Sequence, residues 1–293
     1  MRCLSTAIIH GNSGILNRKV YSNRMKLDKE TNRIYVRQSW LKDMMLCPER
    51  SRYSVTSPEF RVTSDSAAIG TAVHAGIETI LTNEVSVAQA TKNALSKFAE
   101  LRTIGIKETN VTPSEYENHI IRLVKAFSTD ILPSVMLGGQ AELQFAVNTH
   151  ALVGPYELWF EGTMDYVSSD GAWDWKTSAR KYSENEKQTQ DIQSTIYNYA
   201  ATELGLIEPD TTFRFGVMIR NASASGQIVH IHRNASHSSF VITQAQSAVN
   251  YVLNMTNNNE SYKEKWLIND QHFLCSERWC PWWSLCKGAH ISG

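Results

Sequence analysis

The sequence has no apolar run approaching the roughly 18 residues that a bilayer-spanning helix requires, so it reads as soluble and without membrane contact. It has no G-x-x-x-x-G-K-[ST] loop, which makes a self-contained P-loop ATPase an unpromising reading. An internal repeat, a long linker and a secretory segment with a small-residue cleavage site are likewise missing. Net charge carries no signal, because 29 basic residues balance 29 acidic ones in a chain of 293. With only 5 cysteines and 7 prolines, the chain is neither a disulfide-dense scaffold nor a collagen-like repeat. What is present, 42% hydrophobic and 20% charged residues, folds around a core as one large domain or two small ones.

Acidic residues are also absent from Met1 to Leu27, and residues 1–37 carry eight Lys or Arg against Asp28 and Glu30. A flexible basic arm that touches phosphates has this composition. An organelle transit peptide has it too, as does an inert terminus.

Further along, an element opens at Ser39 and is broken by Cys47-Pro48. Ile69, Val73, Ile77 and Ile80 recur at helical spacing over Ser66–Leu81, with Ser66 as the expected cap. Two more amphipathic helices are expected near Ser86–Thr103 and Pro113–Asp130. The pattern then alternates, predicting strands at Gln140–Val147, Tyr156–Val167 and Ala172–Thr177. The last two are joined by the turn Ser168-Ser169-Asp170-Gly171. A helix at about 186–204, strands at Thr212–Ile219 and Gln227–His232, and a helix near Thr243–Asn254 complete the order. This is an α/β fold with a mixed central sheet flanked by helices, not a Rossmann fold.

Side chains two apart on a strand share a face, so Asp174 and Lys176 project together while Trp175 points into packing. A tight hairpin brings Asp165 beside them. Two converging carboxylates repel unless a cation sits between them, and a hard divalent ion with oxygen ligands, Mg²⁺ or Mn²⁺, suits that place. The tripeptide D-x-K is common, and alone it reads as an ordinary ion pair on an exposed strand. Gly70 and Gly76 in the helix around His74 each cost about 1 kcal/mol relative to Ala, which implies close packing there. His74 reads either as a core histidine or as a further ligand. Gln193 and Tyr197 stand four apart on one helical face.

In this order, G-T-x-x-H with His74, G-x-x-D with Asp165, D-W-K-T with Asp174 and Lys176, and Q-x-x-x-Y resemble the RecB-like branch of the PD-(D/E)XK nucleases. CRISPR-associated RecB-like exonucleases and many phage exonucleases belong to that branch. The resemblance implies a restriction-endonuclease-like core and a metal-dependent DNA exonuclease. His74, Asp165, Asp174 and the Trp175 carbonyl would hold Mg²⁺ or Mn²⁺, and Lys176 would be the catalytic lysine. Gln193 and Tyr197 would position the substrate strand, and Glu142 would be an outer acid. The implied division is a basic arm over 1–37, a nuclease core over 38–265 with a helical insert at about 82–135, and a cysteine region over 266–293.

Three of the cysteines fall in C-x₄-C-x₅-C, Cys275, Cys280 and Cys286, with Cys47 and Cys3 far upstream. Four thiolates suit either Zn²⁺ or a [4Fe–4S] cluster, and spacing does not separate the two. RecB-like nucleases with iron–sulfur clusters resemble this layout, one cysteine upstream and three at the far end, although their commonest form has x₂ where x₄ stands here. The resemblance implies that Cys47, Cys275, Cys280 and Cys286 hold the cluster under Trp279, Trp282 and Trp283, with Cys3 left over.

The expected partner is DNA with a free or single-stranded end. Basic residues of the arm and aromatics of the flanking helices would guide the strand, beside a helicase, recombinase or single-strand-binding protein. The expected role is recombination, repair or phage replication in a bacterial or phage-infected cytoplasm. A CRISPR-type end-trimming nuclease, a mitochondrial genome-maintenance exonuclease and a catalytically inactive DNA-binding module stand as alternatives.

Overall fold

The computed structural model of the protein describes residues 25–83, 85–108, 111–257 and 265–288, and the backbone of Ile8–Ile9. Cys3, and most of residues 1–27 that carry the transit-peptide reading, lie outside the described residues. The chain opens with strands β1 (Ile8–Ile9), β2 (Lys26–Asp28) and β3 (Arg33–Val36). Helices α1 (Gln38–Leu46), α2 (Pro48–Thr56), α3 (Asp65–Asn83), α4 (Val87–Ile104) and α5 (Tyr116–Ala126) come next. Strands β4 (Gln140–Val153), β5 (Tyr156–Ser168) and β6 (Gly171–Ser178) precede α6 (Glu184–Gln190) and α7 (Ile192–Glu203). The order closes with β7 (Phe213–Ile219), β8 (Ser225–Ile231) and α8 (Ala235–Met255).

The expected succession of helices and strands is present, with local departures. Residues 26–36, inside the stretch read as a basic arm, form the β2–β3 hairpin. The single helix expected at 186–204 is two, because Asp191 is extended and its carboxylate accepts from the Ser194 N–H at 2.7 Å, capping α7. Helix α3 is capped two residues earlier than expected. Ser64 Oγ, rather than Ser66, accepts from the Ala67 N–H at 3.2 Å.

The chain divides into two compact units, through both of which β4 and β5 pass. The first comprises Met1–Arg61, Phe145–Gly162 and Ser236–Gly293. Here β2 and β3 pair antiparallel, β3 runs parallel to β5 from Arg33↔Glu157 to Val36↔Phe160, and β1 pairs antiparallel with β4. Pro48 at the first turn of α2 ends α1 at Leu46, since proline starts a helix but cannot continue one. A buried Glu49–Arg52 ion pair anchors α2, and Glu49 Oε2 also accepts from the Trp266 N–H at 2.7 Å. Trp282 Nε1 donates to the Ser57 carbonyl at 2.7 Å, and Asn269 Nδ2 to the Leu46 carbonyl at 2.9 Å. These bonds fasten residues 266–282 onto α1 and α2.

The second unit comprises Val62–Gln144 and Thr163–Ala235. Its sheet is mixed: β5 and β6 are antiparallel, β6 and β7 parallel, β7 and β8 antiparallel. Trp173 and Trp175 alternate with Asp174 along β6, so the indoles enter one face of the sheet and the acid the other. The indoles stack at 5.4 Å, and Trp175 meets the edge of Phe127 at 5.0 Å. Ile69, Val73, Ile77, Phe98, Ile120 and Leu123 of α3, α4 and α5 close over them in one buried cluster. Full burial of a side chain the size of Phe127 stabilises by about 2–3 kcal/mol. The two helix glycines mark the close approaches the sequence implied. A Cβ on Gly70 would stand 3.0 Å from Thr177 Oγ1 of β6, and one on Gly76 3.0 Å from the Ala90 carbonyl of α4.

Candidate active site

All of the expected catalytic residues lie in the second unit, and β6 carries two of them. Asp174 is fully buried on the face opposite the indoles, and its Oδ2 is ion-paired with Lys176, two residues along the strand. Asp165 comes from β5 through the hairpin turn. Its Oδ2 accepts from the Trp175 N–H at 2.7 Å and stands 3.5 Å from His74 Nδ1 of α3. The Trp175 backbone also acts on the His74 imidazole, favouring its charged form, so that peptide lies near both His74 and Asp165. From α7, Gln193 Nε2 donates to Asp174 Oδ1, and Gln193 also bonds Tyr197, which is buried one turn further on. Helix, hairpin, strand and second helix thus deliver His74, Asp165, Asp174, Lys176, Gln193 and Tyr197 to one place. Glu142 is an exposed residue of β4 with a left-handed φ of 49°.

The electrostatics follow from crowding acids where water is scarce. Burial pushes Asp165 up to about 6, against the pull of Lys176 and the Trp175 amide. Asp174 also rises to about 6, from burial first, with Asp165 raising it and Lys176 lowering it. Burial alone would lower Lys176, but the two carboxylates more than reverse this and hold it above its ordinary value. Burial lowers His74, as does Lys176, so the imidazole favours the neutral form that can act as a ligand. A neutral imidazole, two carboxylates and a peptide carbonyl form a hard N/O donor set that suits Mg²⁺ or Mn²⁺. Among the described residues, no group of three His, Cys, Asp or Glu is already arranged to hold an ion. In this structure the Lys176 ammonium supplies the positive charge beside Asp174.

Sequence reasoning missed the residues that shape this place from behind. Gln227 of β8 accepts from the Tyr182 N–H at 2.9 Å and donates to its carbonyl at 3.0 Å, pinning the loop after β6. Arg233 is buried and donates to Thr195 Oγ1 and to the carbonyls of Lys187, Gln188, Asp191 and His232. It thereby clamps the junction that aims α7. A lone Gln and a lone Arg carry no motif, so neither had a signal to find.

In the first unit, Cys47, Cys275, Cys280 and Cys286 are free thiols lining one pocket with Tyr53, Trp282 and Trp283. Burial raises Cys280 and Cys286, and each also feels Cys47 and Cys275, so the four sulfurs face a shared space. Trp282 is buried as expected. Trp279 is not: it is 47% exposed, with the Arg278 guanidinium 4.8 Å from its ring, so it does not shield the pocket.

The profile of the PD-(D/E)XK nuclease superfamily matches residues 39–287, and the chain belongs to that superfamily. A crystal structure from Eubacterium rectale, described as "Putative exonuclease", is similar over 85% of this chain and 89% of that one. Its TM-score is 0.53 at 14% identity, a likeness of fold alone. No curated protein matches the chain. Membership carries with it a nuclease's substrate class, nucleic acid, and the divalent-metal chemistry usual in the superfamily. No helix among the described residues is long and apolar enough to cross a membrane.

Proposed function

We propose that the protein is a Mg²⁺- or Mn²⁺-dependent DNA exonuclease of the RecB-like branch, hydrolysing phosphodiesters at DNA ends in recombination, repair or phage replication. The observation that carries this reading is the buried meeting of His74, Asp165, Asp174 and Lys176, where two raised acids share one cation. In this reading His74, Asp165, Asp174 and the Trp175 carbonyl hold the ion. A bound divalent ion supplies Lewis acidity at the phosphate and lowers the pKa of a coordinated water. Lys176, released from Asp174, orients the attacking water and offsets charge developing on the phosphate. Gln193 fixes the free oxygen of Asp174, and Tyr197 backs Gln193, so the acid presents one orientation. A catalytically inactive DNA-binding module would have no need of this intact set.

Under the same reading, Cys47, Cys275, Cys280 and Cys286 hold a [4Fe–4S] cluster, with structural zinc as the alternative occupant. Four free thiols around one pocket support it, and the cluster's part is to tie α1 and α2 to residues 266–286.

The test is to incubate the purified protein with linear and covalently closed circular DNA, single- and double-stranded, with Mg²⁺ or with chelator. Linear DNA should be degraded from its ends in Mg²⁺ only, and circular DNA spared. Equal cutting of circles would replace the exonuclease with an endonuclease, and cleavage in chelator would remove the metal from the reading.

A further inference from the structure

Away from the buried acids, the second unit gathers a group of cations that the reaction above does not use. His119 and Arg122 stand on one face of α5, three apart, and Arg220 directly follows β7. Arg122 donates from Nε to the Asn118 carbonyl at 3.2 Å and from Nη1 to the Ala222 carbonyl at 2.8 Å, beside Arg220. Arg220 donates from Nη1 to Ser66 Oγ, at the start of α3, at 3.0 Å. Burial lowers His119 first, and the positive charges of Arg122 and Arg220 nearby lower it further. Glu115, 56% exposed, stands 3.8 Å from His119 Nε2, and behind Arg220 the Ser66 hydroxyl donates to Asp65 Oδ1 at 3.2 Å. Neither arginine has a carboxylate partner among the described residues. Half-buried arginines held in one neighbourhood without a carboxylate partner repel, and their remaining N–H donors make a fork suited to the oxygens of a phosphate.

The position of this group relative to the acids is fixed by two elements. Ser66 lies eight residues before His74 on α3, roughly 12 Å along the helix axis. On the sheet, the Arg220 N–H donates to the Ser178 carbonyl at 2.7 Å, two residues beyond Lys176 on β6. A strand whose phosphate is held at the acids and which runs along α3 reaches the arginines after about two to four nucleotides, at about 3.4 Å per step.

We propose that His119, Arg122 and Arg220 form a binding site for one phosphodiester of the substrate strand, two to four nucleotides from the bond that is cleaved. The proposal rests on the DNA nuclease reading and adds to it a position on the substrate. The site holds the strand in register and takes no part in the chemistry. Ser66 Oγ, already bonded to Arg220, orients one edge of the fork.

Oligonucleotides carrying a single neutral methylphosphonate, moved one position at a time, test it, with affinity measured in chelator so that nothing is cut. The wild-type protein should lose affinity roughly tenfold when the neutral group occupies one position in that interval. The slope of log affinity against log salt should fall there by about one. The double variant Arg122→Gln/Arg220→Gln should bind weakly at the outset and be indifferent to that same position. A wild-type scan with no sensitive position in the interval overturns the site, whether or not the variant folds. So does a variant that keeps the wild-type scan. Wild-type protein that binds no DNA overturns the nuclease reading itself, a result separate from either of these.

Discussion

Asp165 and Asp174 are each pushed up to about 6, because burial disfavours two adjacent negative charges. An acid whose folded-state pKa is raised binds its proton more tightly folded than unfolded. The pair therefore favours folding at low pH, and this contribution is lost as pH rises from about 4 through about 6. A divalent ion needs both carboxylates unprotonated, so it competes with these protons. Added Mg²⁺ or Mn²⁺ should raise the Tm by several degrees at pH 7.5 and hardly at all at pH 5, as read by thermal denaturation. Equal increments at both pH values would contradict the acids as ligands. Gln193 offers a second residue-scale test. Gln193→Glu places a third carboxylate against Asp174 and should cut cleavage by at least tenfold, with DNA affinity in chelator little changed.

At the scale of elements, α3 lies so close to its neighbours that its glycines are sites of strain for any side chain. Gly76→Ala drives a methyl against the rigid Ala90 carbonyl and Ala94, and urea unfolding should show a loss of about 1–3 kcal/mol. Gly70→Ala meets only the Thr177 hydroxyl, which can rotate, so its loss should be the smaller of the two. A larger loss at Gly70 would contradict this packing. Helix α3 was legible in the sequence because its apolar positions recur at helical spacing and its glycines mark contacts. Strand β6 was legible because Trp173, Asp174, Trp175 and Lys176 alternate. The β2–β3 hairpin was not, since KLD and RIYV are short and sit among basic residues that read as an arm. Within it Arg33 pairs with Glu157 at 3.3 Å, a partner 124 residues away that no local pattern predicts. The α6–α7 break escaped for a related reason: Asp191 lies in an otherwise helical polar run, and Arg233, distant in sequence, stabilises the corner.

For the whole molecule, the order of motifs carried more than any one of them. His74, Asp165, Asp174, Lys176, Gln193 and Tyr197 span α3 to α7 and meet only through the fold. The four thiols test the first unit as a whole. Protein purified without oxygen should be brown, and Ser in place of Cys47, Cys275, Cys280 or Cys286 should remove the colour and lower the Tm, because the ligands tie the α1–α2 pair to residues 266–286. Colourless protein with one tightly bound zinc would put zinc in place of the cluster, and metal-free folded protein would leave ordinary buried thiols. The central claim is that the buried acids and Lys176 cut DNA with a divalent ion. Its most direct measurement is the release of label from end-labelled linear DNA in Mg²⁺ by the wild type and by Asp165→Ala, Asp174→Ala and Lys176→Ala, with DNA binding followed in parallel. The account predicts cleavage by the wild type, losses of a thousandfold or more in each variant, and binding largely retained, since phosphate contacts lie mostly elsewhere. Full activity in Asp174→Ala would contradict it.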